Sequence, residues 1–469
     1  MRYVPSCFVA SATLKPLLAA FILLSVSVSL VSAGDPQVGY QLLLEKEYLP
    51  PDFTEELFSE VWQVWPEPLR TQAEQASPLE RRKMAFSRYG LTTRPGVDMH
   101  ATDDPKFLPL QYVVNEQGQW TMNCFSCHGG QIQGEVVPGL PNSRYVLATL
   151  SEDLGNLKRT KYPEMPLVRM EKAVSIFPLG ATRGTTNAVM FGVALMTLRD
   201  AELNVVPPRR IPRLVHHDMD APAWWHFKKK SHLYADGYAE RGHRGLMQFT
   251  LVRSNGPEKF RQWEEDFRHI SSYLESIEAP KYPFPINAEL AGKGRAVFEK
   301  NCAECHGTYG VSWTYPNRVV DIQEVGTDPV RYNAISAEAR ALYGKSWFGD
   351  FGKQETHSDS PGYVAPPLDG LWASAPYFHN GAVPTLWHVL HSEQRPAVWT
   401  RISETGYDQN RVGLVVEELE SVPREANSAQ DRREYFDTRQ FGKSAAGHQF
   451  PDALREDDKQ ALLEYLKSL

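Results

Sequence analysis

Two short runs constrain this chain more than anything else in it: Cys124-Phe125-Ser126-Cys127-His128 and Cys302-Ala303-Glu304-Cys305-His306. Both read CxxCH, the attachment pattern of c-type haem. Two thiols three positions apart bond the two vinyl groups of one porphyrin, and the next residue sets its imidazole on the iron. A zinc site also favours paired CxxC, but has no need of a histidine directly after the second cysteine in both copies. A thioredoxin-like dithiol is usually single and stands beside a βαβ pattern, which the sequence lacks. The motifs therefore assign two covalently bound haem c groups. Cys124, Cys127, Cys302 and Cys305 are the attachment points, and His128 and His306 are the proximal iron ligands.

The start of the chain has the pattern of an export signal. Arg2 and Lys15 flank a start that runs into an apolar stretch through Leu17–Leu24, and Val31-Ser32-Ala33 forms a small-residue cleavage pattern. Residues 1–33 are expected to be a signal peptide, with a periplasmic or secreted product and no membrane span in the mature chain. Cysteine usage agrees: of five cysteines, Cys7 lies in the leader and the haem motifs take the rest, so no thiol remains for a disulfide. A net charge of −7 argues against nucleic acid as a partner. The one basic cluster, Lys228-Lys229-Lys230, reads as a solvated helix face, with a docking patch for an acidic redox partner as the alternative.

Periodicity predicts a mainly α protein of two cytochrome c-like haem domains with long irregular insertions. Helices are expected at Ala288–Asn301, ahead of the second motif, and at the acidic-to-basic segment from Asp457 to Lys467. Phe260–Ile277 carries Trp263, Phe267, Ile270 and Leu274 on one face. It ends in a run resembling the chain's last six residues, so it is read as the closing helix of the first domain. The resulting division is 34–279 for the first haem domain, 280–286 for a proline-stiffened linker and 287–469 for the second. Before Cys124 the pattern changes: Leu110–Val114 and Gln119–Met122 read as extended segments around a Glu116-Gln117-Gly118 turn, with helical periodicity at Phe53–Trp65 and Leu79–Tyr89.

Pro376-Tyr377-Phe378-His379-Asn380-Gly381-Ala382-Val383-Pro384-Thr385-Leu386 closely resembles the PYxH(N/D)GS-x-x-TL segment of the bacterial di-haem cytochrome c peroxidase superfamily. Ala382 replaces the serine. That superfamily includes tryptophylquinone-maturation enzymes and rubber oxygenases. The resemblance covers both haem motifs and most of the second domain, with a looser match at Gly180–Asn187. It implies an oxidoreductase in which one haem relays electrons and the other meets peroxide or dioxygen, supplied by a redox-protein donor. A calcium ion between the domains, as in some relatives, has no motif here.

The sixth ligand decides what a haem does. For the second haem, His448 resembles the distal histidine of the rubber-oxygenase branch, His379 looks like a neighbour of the haem edge, and His388 and His391 are further candidates. For the first, Met122, His217, His226 and His232 are all open and none has a motif, so an open or weakly held site is expected. Peroxide cleavage also needs a distal acid or base. Laid on the family's F-W-D-G-R segment, Ala235 stands at the tryptophan, with Gln248 and Glu258 matching the following glutamine and glutamate across an insertion. Gln248 and Glu258 are the candidate catalytic pair. An organic-substrate oxygenase and a pure electron carrier are the alternatives to a peroxidase.

Overall fold

A computed structural model describes residues 1, 34–164, 179–207, 215–349 and 360–469. Apart from Met1, the expected leader lies outside the described residues. Two pairs of crossed helices organise the rest. In the first pair, α1 (Pro36–Glu45) starts where the Asp35 carboxylate accepts from Gln37 N at 2.8 Å and Pro36 fits the first helical position. The haem-motif turn α2 (Phe125–His128) follows much later. The partner of α1 is α3 (Pro257–Ser276), whose buried stripe is Phe260, Trp263, Phe267, Ile270 and Leu274, an apolar face at helical spacing.

In the second pair, α4 (Ala288–Asn301) is capped by Asn287, whose side chain accepts from Leu290 N at 3.0 Å. It runs straight into the second motif turn, α5 (Ala303–His306). Its partner α6 (Glu456–Leu466) opens on Glu456, Asp457 and Asp458, which suit the positive end of a helix dipole.

Each crossing depends on a glycine. A Cβ at Gly39 of α1 would stand 2.1 Å from the His269 carbonyl oxygen, and one at Gly294 of α4 would stand 1.9 Å from that of Ala461. Only a residue without a side chain lets the two backbones come so close.

Strands are short. β1 (Phe53–Thr54), β2 (Tyr112–Val114) and β3 (Gln119–Met122) form an antiparallel sheet in the order β1-β3-β2. Its β2–β3 turn includes Gly118 at φ +71°. This hairpin leads directly into Cys124, as the sequence predicts. In the C-terminal half, β4 (Val398–Arg401) lies between β5 (Val416–Leu419) and β6 (Tyr435–Asp437).

Helix outweighs strand among the described residues, and their core falls into three apolar clusters. One joins Leu43, Phe125, Met190, Trp224, Phe260 and Leu274 around the first motif. Another joins Phe53, Phe86, Trp120 and Leu157 behind the hairpin. The third gathers Phe298, Trp372, Tyr377, Leu386 and Leu462 around the second motif, and also takes Leu140, Ala223 and Trp225 from the N-terminal side of the 280–286 stretch. That stretch is packed rather than loose: Tyr282 sits on Trp372 at a ring-centroid distance of 5.4 Å, and Trp372 Nε1 donates to Pro280 O at 2.8 Å. No described helix is long and apolar enough to cross a membrane.

Candidate haem sites

The two motif turns are built alike. Each is a four-residue helix with the first cysteine at its N-cap and the histidine at its end. His128 Nδ1 pairs with Pro222 O at 3.1 Å, and His306 Nδ1 with Pro366 O at 2.9 Å. A carbonyl on Nδ1 fixes the tautomer and aims Nε2 the other way, the outer-shell arrangement that orients a metal-binding imidazole. Burial keeps both rings neutral: it lowers His128 to about 4, against the Pro222 bond, and lowers His306 as well. Neutral imidazole is the form that binds iron.

The four motif thiols lie at the turns that would carry the haem. All four cysteines are free of disulfides. Cys124 has open surface on one side, yet the protein enclosing it pushes its thiol up to about 12, and burial pushes Cys302 up to about 11. Among the described residues no group of three or more His, Cys, Asp or Glu is placed to hold a metal ion.

The sites differ in what faces the histidine. His448 lies across from His306, their ring centroids 6.2 Å apart. Two imidazoles bonded to one iron, each at about 2 Å, hold their centroids roughly 6 Å apart, so this pair has the spacing for axial ligands on one haem. Burial, with the nearby His306 and Arg395, takes His448 down to about 3. Phe378 at φ +71° turns its ring towards His448, 6.0 Å between centroids.

Around His128 the neighbours are different. Trp224 stacks on it at 4.7 Å and 24°. Thr186 hydrogen-bonds Cys127, and Asp220 lies close enough for its charge to act on that thiol. Burial holds the Asp220 carboxyl well above the usual carboxylate range.

The four open candidates for the first iron are engaged elsewhere or lack an opposing ring. Met122 Sδ accepts from Tyr145 Oη at 3.7 Å, and His226 Nε2 meets Asp369 O at 2.8 Å. His232 Nδ1 meets Ser231 Oγ at 3.0 Å. His217 Nδ1 pairs with Val215 O at 3.1 Å, and its buried Nε2 has no partner. Among the other histidines, His379 packs on Tyr363 at 4.4 Å. His388 is tied to Thr385 Oγ1 at 2.7 Å, and His391 to Trp387 O at 2.7 Å and to Glu456.

Two expectations need correction. Gln248 is buried, with its Oε1 accepting from Tyr238 Oη at 3.2 Å and its Nε2 unpartnered. Glu258 faces solvent in the first turn of α3, its side chain 81% exposed, beside Arg261 at 3.3 Å. One is enclosed and the other is in water, so the two residues sit in different surroundings. The lysines are not a solvated helix face either. Lys229 is buried against Asp369 at 2.8 Å with its ammonium over Tyr309 and Trp313, Lys228 pairs with Glu278, and burial lowers Lys230 to about 8.

A connection between the sites was not foreseen. Trp225 Nε1 donates to Asp369 O at 2.6 Å, the same carbonyl that His226 Nε2 meets. The short segments Pro222–His226 and Pro366–Asp369 thus link the two proximal histidines through their prolyl carbonyls. The sequence carries little signal of it: Ala221-Pro222 and Ala365-Pro366 are two of four Ala-Pro dipeptides, the others being Ala279-Pro280 and Ala375-Pro376.

Paired motif turns, prolyl-held histidines and glycine-crossed helices have the character of c-type cytochromes. Residues 362–400 match a family described as RoxA-like, cytochrome c-like. This segment contains Pro366, Phe378 and Arg395, and the match supports a haem-dependent oxidoreductase with covalent haem c. Among curated proteins, the chain is similar to the uncharacterized protein y4iM of Sinorhizobium fredii, 25% identical over 292 residues, covering 53% of this chain and 64% of the relative. It is also similar to the uncharacterized protein y4iJ of the same organism, 27% identical over 259 residues, covering 41% of each. The chain thus spans less than two thirds of the length of either relative.

Proposed function

We propose that this chain is an exported di-haem c-type oxidoreductase with unequal sites. His306 and His448 would hold the second haem, which would then serve electron transfer. His128 would hold the first, which would supply the chemistry of peroxide or dioxygen activation. The observation that carries this reading is the asymmetry: an imidazole stands 6.2 Å from His306, whereas the ring that packs on His128 is the indole of Trp224, which is no iron ligand. A haem with two strong protein ligands moves electrons, and one with an open position activates a small molecule.

Each site supplies the conditions for its role. Bound haem supplies the redox chemistry. Pro222 and Pro366 hold the proximal rings in one tautomer, and Phe125, Met190, Trp224 and Leu274 keep water from the first site. Trp225 and the Asp369 carbonyl give electrons a bonded route between the sites. A redox-protein partner is the electron donor.

Within this reading, a dioxygen reaction on an organic substrate is favoured over peroxide cleavage. The first motif lies in an apolar cluster, surroundings that suit an organic substrate.

The test is absorption and EPR spectroscopy of the purified holoprotein, before and after cyanide, peroxide and dioxygen. The reading expects one low-spin and one high-spin haem, with the high-spin signal responding to added ligand. Two low-spin haems that bind no cyanide would leave an electron carrier.

A further inference from the structure

The three histidines assigned to iron are not held in the same way. The rings of His128 and His306 are each fixed by a prolyl carbonyl on Nδ1. The Nδ1 of His448 is buried and bonds no other residue among those described. An iron-binding imidazole usually takes its orientation from such a bond, so His448 must take its orientation from the backbone that carries it.

That backbone is tightly constrained. Gly447 and His448 both have positive φ, +78° and +47°. His448 N donates to Val325 O at 2.6 Å. A Cβ at Gly447 would stand 2.2 Å from the carbonyl carbon of Gly326. A non-glycine residue at positive φ is costly and persists only where its surroundings impose it.

The imposing group is Arg395. Its Nη1 donates to Ala445 O at 2.7 Å and to Gly447 O at 2.6 Å, and its Nη2 donates to His448 O at 3.4 Å. On the other side, Nε donates to His388 O at 3.0 Å and Nη2 to Val389 O at 3.2 Å. The guanidinium lies 4.9 Å over the Phe378 ring, which itself approaches the His448 ring. One side chain therefore ties the His448 loop to the segment Leu386–Leu390 and braces the aromatic neighbour of the imidazole. Among the described residues no carboxylate bonds it, and its directed contacts there all serve main chain. A lysine has neither the planar fork nor the number of donors to do the same.

We propose that Arg395 is the positioning residue for the sixth ligand of the second haem, holding the His448 loop so that its imidazole stays opposite His306. This rests on the reading that His448 is that ligand. It also makes ligation at this site a property of the loop rather than of the ring: loosening the loop releases the imidazole while the haem stays covalently attached through Cys302 and Cys305.

The experiment uses full-length holoprotein with the variants H448A, R395M and R395K, read by EPR and absorption at neutral pH with and without free imidazole, with circular dichroism as the folding control. H448A is expected to turn one haem from low spin to high spin, and free imidazole to restore it. R395M is expected to lose at least half of the same low-spin signal and regain it with imidazole; R395K should fall between R395M and the parent. If H448A loses the signal while R395M and R395K keep all of it, Arg395 is a structural staple only and the proposal is overturned. If H448A leaves both haems unchanged, His448 is not a ligand and the underlying reading fails with it. Should R395M not fold, R395K decides alone: a full low-spin signal overturns the proposal, and a reduced, imidazole-restored one supports it.

Discussion

The helix pair before the 280–286 stretch and the pair after it solve one packing problem with the same device. α1 crosses α3 at Gly39, and α4 crosses α6 at Gly294, each glycine lying against a carbonyl of its partner. In the second half the crossing helix runs directly into its motif turn, from Asn301 to Cys302. In the first half the chain from Lys46 to Asn123 intervenes, and the motif hangs instead from the β2–β3 hairpin. α1 still reaches its motif through space, with Tyr40 packing on Phe125 at 6.0 Å and on Tyr273 at 5.2 Å. The comparison teaches that the helix clamp and the haem motif need not be contiguous. The clamp is preserved by close packing, and the interrupting chain is available to shape the surroundings of the first site.

The strongest way to break this comparison is to remove one motif at a time. If the two sites are separate units, the double change C302A/C305A leaves one haem on the protein, as does C124A/C127A, halving haem per chain in a pyridine haemochrome assay. Loss of both haems from either variant would show that the sites cannot be loaded independently.

A smaller effect is expected at the crossings. Gly39→Ala and Gly294→Ala each force a methyl group against a carbonyl oxygen, at 2.1 and 1.9 Å. Overpacking of this kind costs roughly 1–3 kcal/mol, and backbone gives way less easily than a side chain. Both variants should shift to lower denaturant midpoints by similar amounts. A neutral Gly39→Ala beside a damaging Gly294→Ala would mean that the first pair is not the same clamp.

Much of this was legible in the sequence. The motif turns, α4, α6, α3 and the hairpin before Cys124 each rest on local patterning that tertiary contacts did not override. The partnership of α1 with α3 was not legible, although Asp35-Pro36 is a readable helix start. The need for Gly39 arises only when His269 O approaches from far along the chain. The grips on the histidines were hidden for a related reason, because a main-chain carbonyl carries no side-chain signature. Lys229 read as solvated because Asp369, Tyr309 and Trp313 are distant in sequence. Glu258 matches the family glutamate only across an insertion, and nothing local to it says whether it faces a pocket or water. Arg395 had no signal either, since its partners are carbonyls.

The subtlest contrast lies where the first motif joins its hairpin, at Asp52. Its Oδ2 accepts from Met122 N at 3.0 Å, at the end of β3 and just before Cys124. α4, which leads into the second motif, is a continuous helix with no such link. Burial raises the Asp52 carboxyl from 3.8 to about 7, against the Met122 bond and the charge of Lys158. The unfolded chain therefore releases this proton near 3.8 and the folded chain near 7. Between those values the native state binds more protons, so stability falls as pH rises through the window and stays low above it. Asp52→Asn keeps an acceptor for Met122 N and removes the charge. It should match the parent near pH 4 and exceed it near pH 8, with urea midpoints reporting a gain on the order of 1 kcal/mol because water still reaches the half-buried group. A constant difference at every pH would show that Asp52 stays ionised in the fold. The strap on the first motif would then be an ordinary charged hydrogen bond, and the first half would carry no cost that the second half escapes.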